Sequence, residues 1–160
     1  MIQLTLVIFL ILASLNPPAR AAFGDPKSSE SENLNPLQAR AALRPEVVEP
    51  GGTTELAIDL DLAEGYHAYV ERFRLQIESP DDLKLDTFKI KPTVEFQDKV
   101  SNSTKLGVSG HAKLRTVIEV PPGFKTGSHQ VKLKLVYQAC NDDHCLFPKT
   151  IELAVKLKVE

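Results

Sequence analysis

The sequence predicts an all-β chain folded as an immunoglobulin-like β-sandwich of about seven to nine strands. Three observations predict it. Apolar residues recur with a period of two in five separate runs, and turn-forming residues fill the gaps between those runs. Beyond the N-terminal segment, no window of helical length carries an i, i+3, i+4 apolar stripe.

The elements follow in chain order. Leu4–Leu15 is an apolar run of twelve residues that precedes the first charged side chain, Arg20. A helix of that length rises about 18 Å, well short of a hydrocarbon core of about 30 Å. The run therefore reads as the apolar region of a signal peptide over residues 1–21, with Ala19-Arg20-Ala21 as its cleavage pattern. It departs from the usual pattern in having no Lys or Arg in the n-region. Residues 22–40, rich in Ser, Asn, Glu and Pro, read as a flexible mature N-terminus ahead of a sandwich domain over 41–160.

Within that domain Thr53–Leu62 sets Leu56, Ile58, Leu60 and Leu62 on one face and Glu55, Asp59 and Asp61 among the others. Phe73, Leu75 and Ile77 alternate with Arg74, Gln76 and Glu78, and Leu114–Val120, Val131–Tyr137 and Ile151–Val159 keep the same period. Pro50-Gly51-Gly52, Glu64-Gly65, Ser79-Pro80-Asp81-Asp82 and Pro121-Pro122-Gly123 mark the turns. Val94–Lys113 is weakly patterned and is expected to form a long functional loop, anchored by Phe96, Val100, Leu106 and Val108.

Charge narrows the partners. Cleavage after Ala21 removes one Arg and no acid, leaving 18 basic and 21 acidic residues, a net charge of −3. That balance gives no reason to expect nucleic acid or an anionic membrane. No later apolar run reaches spanning length, so the mature chain is expected to have no membrane span; it is also expected to be a monomer.

Chemistry concentrates on the only two cysteines, Cys140 and Cys145. Asn141, Asp142, Asp143 and His144 between them form a turn-prone sequence that joins two strands, so a disulfide can close there. Closing so short a loop contributes only about 2 kcal/mol in the chain-entropy account. Three readings stand on spacing alone: a structural disulfide, a redox pair, or a metal site from Cys140, His144 and Cys145 with Asp142 or Asp143. Adjacent His and Cys rarely converge on one ion, which weakens the third. Asp142 and Asp143 disfavour a nearby thiolate and a protonated His144 favours it, so the thiols are not expected to be strongly acidic.

Tyr137-Gln138-Ala139-Cys140, followed by Cys145-Leu146-Phe147-Pro148, resembles the YQxC…CxxP signature of the N-terminal periplasmic domain of DsbD-type thiol–disulfide interchange proteins. Gly65-Tyr66-His67-Ala68-Tyr69 is similar to the aromatic turn of the same domains. The resemblance covers about Leu43–Val159. It implies an immunoglobulin-like fold and a Cys140–Cys145 redox pair, with Cys145 entering mixed disulfides and Cys140 resolving them. It also implies a site lined by Tyr66, Tyr69, Tyr137 and His144, under a cap loop containing Phe96, Asp98 and Val100. By spacing Val100 falls where the family's shielding aromatic sits, so either Phe96 takes over or the shield is smaller. Two departures are a four-residue gap between the cysteines where some members have five, and a single Pro148 where Pro-Pro is frequent.

The implied task is electron relay in the periplasm, of the thiol–disulfide oxidoreductase type. The partners are thioredoxin-like redox proteins. A membrane electron conduit with a thioredoxin-like domain is the donor, and a disulfide isomerase or a cytochrome-maturation thioredoxin is the acceptor. No metal or organic cofactor enters that exchange. If the product is complete at Glu160, its electrons are expected from a separate protein. The alternative is a non-catalytic exported binding module with a structural Cys140–Cys145 bridge.

Overall fold

The computed structural model describes residues 35–98 and 102–160. The signal segment over 1–21 and Val100 of the expected cap lie outside them. The described elements are β1 (Leu37–Arg44), β2 (Val47–Val48), β3 (Thr53–Leu62), β4 (His67–Tyr69), β5 (Arg74–Ser79), β6 (Lys84–Leu85), β7 (Lys89–Lys91), β8 (Val94–Asp98), β9 (Ser103–Ser109), β10 (His111–Glu119), β11 (Gly127–Tyr137), β12 (Ala139–Cys140) and β13 (Lys149–Val159). Five of these are pieces of two or three residues, which leaves eight longer strands, within the expected number. A 3-10 turn, Val70–Arg72, follows β4.

Two antiparallel layers make an immunoglobulin-like sandwich. The first runs β1-β3-β10, with β6 and β7 both pairing the far side of β10. The second runs β2-β13-β11-β5, antiparallel except for the β2–β13 pair. Period-two patterning explains both. In β10 Ala112, Leu114, Thr116 and Ile118 are buried, and in β11 Val131, Leu133, Leu135 and Tyr137 are buried. All of these except Thr116 meet Leu56, Ile58 and Leu60 of β3 and Leu157 of β13 in one core. Each fully buried leucine or isoleucine contributes about 1.5–3 kcal/mol through its transfer from water. The outer face of the first layer carries the acids and bases of the same strands, as in the Asp59–Lys113 pair at 2.9 Å.

Two expectations are corrected. β1 begins at Leu37, which is 1% exposed, so the sandwich takes in residues 37–40 that were assigned to the flexible N-terminus. Leu37 pairs with Leu62 across β1–β3, and that ladder holds residues 37–40 although Leu37 is the one large apolar side chain among them. Nor is Val94–Lys113 an irregular loop: β8 and β9 are an antiparallel pair and lead into β10.

The β8–β9 pair belongs to a third, smaller sheet, β12-β4-β9-β8. Gly110 makes the passage from β9 into β10 with φ +60, a left-handed backbone that glycine adopts without steric cost. Its carbonyl accepts the backbone N–H of Leu62 at 2.8 Å. Both legs of the β8–β9 hairpin are therefore rooted in the first layer, through β7 and β10.

Candidate functional site

Pairing in the third sheet decides which side chains share a face. Cys140 lies opposite His67 across β12–β4, and Tyr69 lies opposite Gly107 across β4–β9. Gly107 in turn lies opposite Val94, and Lys105 opposite Phe96, across β9–β8. Directly opposed residues in an antiparallel pair point to the same side of the sheet, and alternate residues share it. Cys140, His67, Tyr69, Gly107, Lys105, Phe96 and Asp98 thus form one surface.

The two cysteines are joined as a disulfide, with Cα atoms 3.9 Å apart. Their loop is a tight hairpin tip. Leu146 N–H donates to Ala139 O at 2.8 Å and Asn141 N–H donates to His144 O at 3.0 Å, so Cys140 and Cys145 face each other between these rungs. Asn141 holds the tip further, its Oδ1 accepting the backbone N–H groups of Asp143 at 3.0 Å and His144 at 2.8 Å. This use of an asparagine side chain as a local acceptor is why an Asn-Asp-Asp turn closes here. The two residues differ in surroundings: Cys140 is 2% exposed, whereas Cys145 is exposed.

Above Cys140 sits an aromatic layer. Phe96 stacks on His67 with centroids 4.5 Å apart, and His67 meets Tyr69 edge-on at 5.3 Å. Phe96 reaches His67 because Gly107 lies between their strands and has no side chain; a Cβ there would meet the Phe96 ring at 2.9 and 3.0 Å. Burial pushes the His67 imidazolium below its ordinary 6.5, with the Asp142 carboxylate opposing the shift. Burial also raises the Tyr69 phenol above 10.0, with Asp98 adding to it and Lys105 subtracting.

An ion cluster ties the hairpin down. Lys105 Nζ donates to Glu71 Oε1 at 2.9 Å, lies 3.0 Å from Asp98 Oδ2, and stands 5.3 Å from the centre of the Tyr69 ring. Glu71 belongs to the 3-10 turn, so this contact joins β9 to the segment that follows β4.

The disulfide opens onto a cleft of about 250 Å³ lined by His67, Tyr69, Phe96, Gln97, Asp98 and residues 140–145. Of the residues expected at the site, Cys140, Cys145, Tyr69, His144, Phe96 and Asp98 meet there. Tyr66 and Tyr137 do not. Tyr66 packs on the core, and Tyr137 is 1% exposed within it, stacked near Phe73 and donating its hydroxyl to Asn35 Oδ1. Tyr137 continues the inward face of β11 set by Leu133 and Leu135, which places it away from the tip. Burial raises its phenol above 10.0. His67 and Phe147 were not singled out. His67 stands inside the Gly65–Tyr69 motif, and Phe147, 89% exposed, follows Cys145 by two positions. Among the described residues no group of three or more His, Cys, Asp or Glu is arranged to hold a metal ion. A larger groove of about 590 Å³ on the outer face of the first layer contains no cysteine and is separate from this cleft.

A β-sandwich with a disulfide at one hairpin tip, covered by aromatics from a neighbouring pair of strands, defines the class: an immunoglobulin-like domain with a cysteine pair at a cleft. The chain belongs to the family described as thiol:disulfide interchange protein DsbD, N-terminal, which matches residues 34–157. The DsbD N-terminal domain of Neisseria meningitidis in its reduced form superposes with a TM-score of 0.55 at 18% identity, covering 79% of this chain and 92% of that one. The complex of the DsbD and PilB N-terminal domains from the same organism gives 0.50 at 17%, covering 89% and 88%. The N-terminal periplasmic domain of ScsB from Proteus mirabilis gives 0.52 at 10%, covering 78% of this chain and 47% of that one. At these identities the likeness is one of fold. No curated protein matches the chain.

Proposed function

We propose that the protein relays electrons by thiol–disulfide exchange in the periplasm, taking them from a thioredoxin-like domain of a membrane conduit and passing them to oxidised periplasmic proteins. The observation that carries this reading is the unequal exposure of the two cysteines: Cys145 is an exposed residue while Cys140 is 2% exposed. Exchange needs one sulfur that a partner can approach in line and a second held beside it to resolve the mixed disulfide. In the reduced state Cys145 thiolate attacks the partner's disulfide and one partner sulfur leaves. Cys140 then attacks Cys145 and the second partner sulfur leaves, so two electrons pass to the partner. Phe147, exposed beside Cys145, offers an apolar contact to the docking protein. Membership in the thiol:disulfide interchange family supports the reaction class, and the neighbouring complex of a DsbD domain with a PilB domain supports a protein partner.

The test is trapping in cells. Cys140→Ala should accumulate a mixed disulfide between Cys145 and a thioredoxin-fold protein, and Cys145→Ala should trap none. Failure of both variants to trap any partner would leave the bridge a structural staple.

A further inference from the structure

We propose that His67 accepts the proton of the Cys140 thiol in the resolving step. This rests on the relay reading above and assigns a residue to its second half.

Three observations lead to it. First, Cys140 is 2% exposed, so bulk water is poorly placed to take its proton, and a thiol in apolar surroundings holds that proton more tightly. Second, His67 is the direct cross-strand partner of Cys140, which places the two β-carbons about 4.5–5.5 Å apart on one face. Third, the imidazole is held in place. Phe96 covers one face of the ring and Tyr69 meets it edge-on.

The other ionisable groups facing this position serve less well. Lys105, on β9, donates to Glu71 and Asp98, and those bonds raise it above 10.5, so it stays a cation. Tyr69 stays a neutral phenol for the reasons given above. Asp98, on β8, is engaged by Lys105. Asp142, Asp143 and His144 lie exposed on the turn, where Asp142 opposes the loss of charge at His67 and favours the imidazolium once it forms. Burial keeps His67 neutral near pH 7, the form that can accept a proton.

The step balances as follows. Cys145 Sγ is bonded to the partner's sulfur. The Cys140 S–H proton passes to His67, the Cys140 thiolate forms a bond to Cys145 Sγ, and the bond from Cys145 to the partner breaks. Its electron pair leaves on the partner's sulfur, which takes the proton back from the imidazolium. Cys140 and Cys145 are oxidised and the partner's disulfide is reduced to a dithiol.

The test mixes the reduced protein with oxidised glutathione, quenches in acid and follows the glutathionylated intermediate by mass spectrometry. His67→Phe keeps a ring against Phe96, and His67→Gln removes the ring. Formation of the intermediate is followed separately, and neither variant should slow it. Both should resolve it on the order of a hundredfold more slowly at pH 7. The difference should close only in alkali beyond the ordinary thiol value of about 8.5, once the buried Cys140 thiol ionises unaided. Equal slowing at every pH, or a wild-type pH profile in both variants, overturns the assignment while leaving the relay intact. If the wild-type protein forms no intermediate at Cys145, the relay reading falls, and this one with it.

Discussion

Phe96 lies face to face with His67, ring centroids 4.5 Å apart and planes inclined by 17°. The two residues come from strands that are not neighbours, since β9 runs between β8 and β4. An aromatic side chain spans the intervening strand because Gly107 leaves its surface bare. The same packing brings Phe96 into the cleft of the disulfide, so three separate segments meet over one bond.

Phe96→Ala is expected to expose the disulfide. A stacked aromatic pair contributes about 0.5–1.5 kcal/mol beyond its buried area, which corresponds to a rate factor of up to about ten if the ring must leave before attack. Reduction of the variant by a water-soluble phosphine at pH 7, followed by thiol titration, should be faster by up to that factor. An unchanged rate would mean that the ring shields nothing.

Gly107→Ala should act on the same element from beneath. The added Cβ meets the Ala68 carbonyl oxygen at 2.9 Å and the Phe96 ring at 2.9 and 3.0 Å. Overpacking of this kind costs about 1–3 kcal/mol. Denaturant unfolding should show that loss, together with faster phosphine reduction. In the Phe96→Ala background the second effect should disappear, because no ring remains to displace. The first should persist in part, since the Ala68 carbonyl is backbone.

The sandwich was legible where burial is one-sided. β3, β10, β11 and β13 present apolar residues to the core at every second position, and the sequence shows that period directly. The β8–β9 hairpin hid because its burial follows no such rule: Val94 is 46% and Leu106 53% exposed, while Asp98 is buried. That is the pattern of strands covering a site rather than filling a core. The cysteine pair was legible from local turn chemistry. The contact of Cys140 with His67 was not, because it depends on how β12 and β4 align across more than seventy residues of chain. Tyr137 shows the converse. Its place in the Tyr137–Cys140 family signature implied the site, yet the period of β11 already turned it inward.

Tyr137→Phe therefore separates core from site. The hydroxyl donates to Asn35, a residue just ahead of β1, and its removal should lower stability by about 0.5–1.5 kcal/mol. Thermal unfolding should report that decrease, while the rate of phosphine reduction stays at the wild-type value. A change in reduction rate without a change in stability would return Tyr137 to the site.

Acid should loosen the hairpin through Glu71. The hydrogen bond from Lys105, reinforced by its charge, holds the Glu71 carboxyl below its ordinary 4.5. A carboxylate whose folded value is depressed contributes fully above its unfolded value, and that contribution fades as pH falls through the lower folded one. Lys105 has the opposite sign: Glu71 and then Asp98 raise it above 10.5, so its share is complete below 10.5 and fades only in stronger alkali. Between these limits the clamp is constant, and phosphine reduction of the disulfide should show no step from this cluster. Below pH 4.5 the wild-type rate should climb a few-fold as Glu71 takes up a proton and lets β9 move. Glu71→Gln should begin at the faster rate near neutrality and lose that part of the acid rise, with Asp98 left to hold Lys105 alone. A flat wild-type profile from pH 6 to pH 3 would show that the ion cluster does not restrain the hairpin over the disulfide.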